Sequence, residues 1–400
     1  MSDPFEQART QFLDGLAHFQ AARFEAAKVC FEASLAVLPG RVSTLTNLGA
    51  THIKLGRPHD ALPLLNQAIT REPGNPEAWF QLGLAHVGLG QHTQALACFD
   101  KAQAVDNSGP VLWMLRAQCH SHLDQKEAAL DALARALAID PSLAQAWSER
   151  GNLLRELKRP ADAAAAYEKA IALGADTGIN GYFLASVRGG QGPSTAPRAY
   201  VEKLFDDYAG AFQDHLVTDL HYQAHAVLVA QLPARRFSSV LDLGCGTGLC
   251  GRLAKPFSGR IDGVDISSEM IKEAHQTGVY GQLFHADVAE YLGSAQRSDD
   301  LVLAADVFIY IGELGPVFEG VAKILAPGGL FGFTVELARP QSGTAADVVL
   351  QPSLRYAHSE NYLRRMAREH GFKVDSLTTQ ALREDQGRPL MGLYVILSRP

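Results

Sequence analysis

The 400-residue chain is poor in cysteine, and none of its cysteines forms a CxxC pair: Cys30, Cys98, Cys119, Cys245 and Cys250 stand apart. That leaves no sequence-evident zinc site and fits a reducing compartment. Basic charge is not in excess either. The net charge is −7, with 16 basic against 19 acidic residues before residue 178 and 20 against 24 after it. Neither half reads as a nucleic-acid binder. The opening residues Met1 to Glu6 carry no basic region followed by an apolar one, so no secretory signal is expected there. The longest apolar stretch, Leu301 to Val335, is broken by Asp306, Glu313, Glu319 and Lys323, so no bilayer span is expected. A cytoplasmic protein of two domains is the expectation from this length.

What is present in the first half is a period. Gly15, Gly49, Gly83, Ala117 and Gly151 recur every 34 residues, as do Ala27, Ala61, Ala95, Ala129 and Ala163. Pro39, Pro73 and Pro141 keep the same step, with Asn107 in the remaining place, and Trp79, Trp113 and Trp147 precede the small residue by four. Small residues let two antiparallel helices approach, and proline ends the second helix of each unit. Five such units fill residues 8–177. This pattern resembles the tetratricopeptide repeat (TPR) family, and the resemblance implies a superhelix whose concave groove binds peptides or proteins. Carried onto this chain, the groove is apolar early (Phe12, Leu16, Phe19, Phe80, Leu84, Val87) and polar late (Ser148, Asn152, Arg155). His18, His52, His86 and His120 also recur at 34. Packed helices lie about 8–10 Å apart, too far for neighbouring units to share one ion, so these read as packing histidines. Residues 178–197 read as a capping helix and a Gly/Pro/Ser hinge.

The second half, residues 198–400, alternates apolar runs with helical segments. The runs are Ser239–Leu243, Ile261–Asp265, Gln282–Asp287, Leu301–Asp306 and Gly329–Glu336. Such alternation predicts a doubly wound α/β fold with a parallel sheet. Ligands of such sheets sit at the carboxyl ends of the strands, where Asp265, Asp287, Asp306 and Glu336 fall.

The chemistry-bearing motif is Asp242-Leu243-Gly244-Cys245-Gly246-Thr247-Gly248. Alternate glycines let the backbone turn sharply beside a ligand, and a helix N-terminus follows. A dinucleotide fingerprint needs a third glycine where Leu249 stands. An acid ahead of the glycines suits a cationic ligand end better than a diphosphate. With Asp265, His285-Ala286-Asp287-Val288 and Leu325-Ala326-Pro327-Gly328-Gly329, the half resembles the class I S-adenosylmethionine-dependent methyltransferases. The whole chain resembles bacterial methyltransferases bearing TPR repeats.

That resemblance implies S-adenosyl-L-methionine as cofactor. It would place Asp242 at the methionine end and Gly244, Gly246 and Gly248 along its backbone path, with Cys245 as a small turn residue. Asp265 would face the ribose hydroxyls, Ile266 and Val288 the adenine, and Asp287 the adenine amino group. Ala304 to Asp306 would lie beneath the transferred methyl. The helix carrying Phe205, Tyr208 and Phe212 would close over the cofactor. Candidate general bases are Asp306, Glu313, Glu336 and His358, the last in a segment beside a flexible lid at residues 341–353. Arg355 and Tyr356 are candidates to hold an acidic or aromatic substrate. A small-molecule acceptor is the leading expectation. A protein acceptor recruited through the repeats is the alternative, and a non-catalytic sensor stands below both.

Overall fold

Each 34-residue unit folds as two antiparallel helices because its small residue and its large one meet at the same height. A Cβ built on Gly15, Gly49, Gly83 or Gly151 would lie 2.6, 2.6, 2.4 or 2.5 Å from Phe31, Leu65, Phe99 or Tyr167. The units are α1 (Pro4–Gln20) with α2 (Phe24–Val37), α3 (Val42–Lys54) with α4 (Pro58–Arg71), and α5 (Pro76–Gly88) with α6 (His92–Val105). Then come α7 (Pro110–His122) with α8 (Lys126–Ile139) and α9 (Ala144–Glu156) with α10 (Pro160–Ala172). This computed structural model describes residues 3–105, 109–189, 192–211, 222–338, 346–385 and 387–400. Asn107, Phe212 and residues 341–345 of the expected lid lie outside them.

The tryptophan and proline columns act together. Trp79 Nε1 donates to the Pro73 carbonyl at 2.7 Å, and Trp147 Nε1 to that of Pro141 at 3.0 Å. The histidine column bonds within its own unit: Nδ1 of His86 and of His120 meets Oε1 of Gln91 and of Gln125, each at 2.7 Å. Not every groove position is presented as the repeat pattern implies. Asn152 accepts from the Tyr167 hydroxyl at 2.9 Å, which ties it to its own unit.

The chain divides into two compact units, Met1–Ala175 and Asp176–Pro400. The helix expected to cap the repeats, α11 (Thr177–Arg188), falls in the second. Its Tyr182 is fully buried, donates to the Leu354 carbonyl, and packs against Tyr200 and Tyr356. The described part of the expected hinge is also held. Ser194 O accepts from Gly312 N and Glu313 N, both at 2.8 Å, and Ala196 N donates to Tyr310 O at 2.9 Å.

The second unit continues with α12 (Arg198–Tyr208), α13 (Ala224–Ala230), β1 (Phe237–Leu243), α14 (Leu249–Ala254), β2 (Ser258–Asp265), α15 (Ser268–Gln276) and β3 (Gln282–His285). It goes on through α16 (Val288–Ser294), β4 (Asp299–Ala304), α17 (Gly315–Ile324), β5 (Leu325–Leu337), β6 (Val348–Leu350) and β7 (Tyr356–His358). α18 (Glu360–Glu369), β8 (Lys373–Asp385) and β9 (Arg388–Ser398) close the chain. The sheet runs β3-β2-β1-β4-β5-β7-β6, and β9 pairs with β5 and β8. Strands β1 to β5 are mutually parallel where they pair, and the β8–β9 ribbon is antiparallel. Strand order reverses between β1 and β4, which opens a crevice at their carboxyl ends. One core cluster is built from Leu241, Val302, Phe318, Phe331 and Phe333, a second from Phe237, Leu301, Tyr394 and Ile396. Residues 348–350, read above as lid, are strand β6, paired antiparallel with β7.

Candidate active site

At that crevice lies a cavity of about 510 Å³. Its floor is the turn after β1. Gly244, Gly246 and Gly248 have φ of 61°, 53° and 92°, a region costly for any side chain. At Gly244 space is missing as well, since a Cβ would fall 2.4 Å from Val307. Main chain therefore comes to the cavity wall bare. Gly244, Cys245, Gly246 and Thr247 line the cavity. Gly248 does not: it begins α14 and backs onto Tyr280 and Thr277, so its part is the turn itself.

Three carboxylates stand along the wall at the ends of β1, β2 and β3. Asp242 is 1% exposed and accepts from the Tyr280 hydroxyl at 2.7 Å. Burial pushes its carboxyl up to about 7, with Asp265 adding to the rise and the Tyr280 bond opposing it. Asp265 is held rigidly: Oδ2 accepts from Gly246 N at 2.8 Å and Oδ1 from Ser267 N at 2.9 Å. Burial raises it too, and those amides only partly offset the effect. Asp287 uses Oδ1 to cap α16, accepting from Ala289 N and Glu290 N. Ile266 and Val288 line the same side. Helix α12 borders the cavity with Val201, Leu204, Phe205 and Tyr208. Its Asp206 accepts from the Ser267 hydroxyl at 2.6 Å, which seats the helix beside the turn after β2.

Beyond β4 the lining is polar in a different way. Asp306 lines the cavity with an unusual φ of 60°, its N–H donating to Thr334 Oγ1 at 2.8 Å. Arg383, 3% exposed, forms ion pairs with both Asp306 and Glu336. Tyr310, Arg355, Tyr222 and His225 also line the cavity.

Besides Gly248, five expected site residues stand outside the cavity lining: Ala304, Glu313, Glu336, Tyr356 and His358. Ala304 is buried within β4, and the wall is formed by Ala305, Asp306 and Val307 just beyond it. Glu313 is exposed and does not line the cavity, because its backbone is pinned to Ser194. His358 is fully buried in β7, outside the cavity lining, with Nε2 3.0 Å from the Gly312 carbonyl. Burial lowers it to about 4, which keeps the imidazole neutral. Tyr356 is likewise buried, its hydroxyl donating to the Pro193 carbonyl at 2.6 Å. Cys245 lines the turn, but burial raises its thiol well above the ordinary range, which removes it as a nucleophile.

Arg383, Tyr310, Tyr222 and His225 were not singled out by their sequence context. Arg383 had a faint signal, a charge beside Leu382 in an otherwise alternating strand. The pairing register of β8 shifts between Ala381 and Arg383, and that irregularity buries both Leu382 and Arg383. Among the described residues no group of three His, Cys, Asp or Glu could hold a metal ion. No helix there is long and apolar enough to cross a membrane.

Comparison with known proteins matches residues 240–329 to the methyltransferase domain family, and residues 52–119 and 123–177 to tetratricopeptide repeat families. The malonyl-[acyl-carrier protein] O-methyltransferase of Enterobacter lignolyticus is 30% identical over 42% of this chain and 64% of its own length. The trans-aconitate 2-methyltransferase of Paracidovorax citrulli is 30% identical over 32% of this chain and 52% of its own length. The chain thus spans between half and two thirds of the length of these two relatives. Magnesium protoporphyrin IX methyltransferase from Synechocystis PCC 6803 is a structural neighbour with 18% identity and a TM-score of 0.40, covering 51% of this chain and 99% of that one. The chain carries a methyltransferase domain preceded by tetratricopeptide repeats.

Proposed function

We propose that the protein is an S-adenosyl-L-methionine-dependent methyltransferase acting on a small-molecule acceptor. One observation carries this reading: three carboxylates, Asp242, Asp265 and Asp287, stand in a row around a bare glycine turn in one cavity. The residues fit the cofactor. Asp265 is buried, fixed by two amides and, among the described residues, without an ion-pair partner at hydrogen-bond range, which suits it to accept from two ribose hydroxyls. Asp287 keeps a second oxygen for the adenine amino group, between Ile266 and Val288. Asp242 faces the methionine ammonium. When bound, the cofactor supplies a methyl made electrophilic by a sulfonium.

The chain's own work is alignment and exclusion of water. Helix α12 walls one side with Leu204, Phe205 and Tyr208, and the Phe205 ring meets Tyr310 edge-on at 5.5 Å. The acceptor belongs where Asp306, Tyr310, Arg355 and Arg383 line the cavity. Two relatives are named for malonyl-[acyl-carrier protein] and for trans-aconitate, and this supports an acidic acceptor. The repeats serve as a partner-binding arm, with Phe80, Leu84, Val87 and Met114 half-exposed for that purpose.

Calorimetric titration with S-adenosylhomocysteine tests the reading. Asp265→Ala should weaken binding by about 1–3 kcal/mol, the usual cost of losing a hydrogen bond to a charged group. Unchanged affinity would take Asp265 out of the site.

A further inference from the structure

Beyond β4, two acids and two arginines stand at or just behind the cavity lining, and they are not equivalent. Arg383 lies between Asp306 and Glu336 and pairs with both. Glu336 also accepts from Gln351 Nε2 at 3.0 Å, and it does not line the cavity. Asp306 and Arg383 themselves line the cavity, and among the described residues Asp306 Oδ1 is buried without a hydrogen-bond partner. Arg355 lines the cavity as well. Its side chain is 30% exposed, and its nearest ion-pair contact is Glu336 at 3.9 Å, the outer limit of such a pair. Its guanidinium sits against the Tyr310 hydroxyl. A guanidinium carries five N–H donors in a planar fork that matches a carboxylate. Among the described residues, one long contact and one hydroxyl do not occupy all five donors of that fork.

We propose that Arg355 anchors the carboxylate of the acceptor and that the methyl goes to that carboxylate. The inference rests on the S-adenosylmethionine reading and adds to it the acceptor atom and the residue that selects it. Arg355 holds one carboxylate oxygen, and the other oxygen attacks. Its lone pair forms the new O–CH3 bond, the S–CH3 bond breaks, and that electron pair stays on sulfur. The products are a methyl ester and S-adenosylhomocysteine. No proton changes hands, so no general base is required. This agrees with a site where Glu313 and His358 stand outside the cavity lining. An anion meeting a sulfonium also loses both charges as the bond forms, which a desolvated cavity favours.

The test uses the full chain saturated with S-adenosylhomocysteine and titrated with succinate, glutarate and benzoate, each beside its amide. At least one acid should bind at least tenfold more tightly than its amide. Arg355→Gln should lose that preference while keeping its affinity for S-adenosylhomocysteine, and Arg355→Lys should keep part of it. With S-adenosylmethionine tritiated on the methyl, the label transferred to the bound acid should be released as volatile methanol by alkali. Acid affinity unaffected by Arg355→Gln, an absence of acid binding, or alkali-stable label would each overturn the proposal. Loss of S-adenosylhomocysteine binding in the parent chain would instead bring down the reading beneath it.

Discussion

Asp242 carries two opposed demands. In the proposed function its position serves a ligand cation, while its burial penalises the charge that the cation needs. The native carboxyl holds its proton up to about 7, whereas an unfolded aspartate releases it near 3.8. Between those values the native state binds more protons than the unfolded state. Stability from this group therefore falls as pH rises from about 4 to 7, and is flat above. Asp242→Asn keeps an acceptor for the Tyr280 hydroxyl and removes the penalty. We expect it to stabilise the ligand-free protein at pH 8 by on the order of 1–3 kcal/mol, with the gain shrinking toward pH 5. Its affinity for S-adenosylhomocysteine should drop, and the loss of binding expected of the parent below pH 7 should flatten. Urea melts and titrations at pH 5, 6, 7 and 8 check both halves. Equal stability of the two proteins at pH 8 would remove the burial argument.

At the scale of elements, what could be read in advance was what depends on neighbours in sequence. The glycine turn, β1 and Asp265 were legible because a strand, a turn and a cap are local chemistry. Arg383 was not, because its burial comes from a register irregularity between β8 and β9 that no alternation reveals. His358 was misread because its polar neighbours Arg355, Ser359 and Glu360 suggested a loop. Pairing of β7 with β5 and β6 decides its burial, and those partners lie elsewhere in the chain. The repeats were legible by their period, yet one column went unread. Ala22, Asp124 and Lys158 adopt φ of 55°, 55° and 58°, where Gly56 and Gly90 have 70° and 69°. Every helix pair turns through a left-handed residue at the same step. A side chain costs roughly 1–2 kcal/mol there, and glycine returns part of that as unfolded-state entropy. Lys158 is exposed, so Lys158→Gly should stabilise the array by about 0.5–1 kcal/mol, read as a higher midpoint in thermal melts. An unchanged or lower midpoint would show that the turn is not strained.

For the whole molecule, each unit buries its own core. Clusters such as Ala27, Phe31 and Leu48, or Trp113, Leu133 and Leu153, belong to the first unit, and both sheet clusters belong to the second. Every residue lining the cavity falls between Thr195 and Arg383. The chemistry proposed here thus needs nothing from residues 1–175. A cut before Asp176 also spares the N-cap of α11, where Asp176 Oδ1 accepts from Ile179 N at 2.7 Å. Residues 176–400 alone should fold cooperatively and bind S-adenosylhomocysteine within about threefold of the full chain, by the additivity expected of independent units. Methyl transfer to a small acid should persist in that fragment. If binding persists while transfer appears only when residues 1–175 and a polypeptide acceptor are present, the repeats recruit the substrate, and the acceptor is a protein. A fragment that fails to fold would show instead that the repeats complete the second unit's stability.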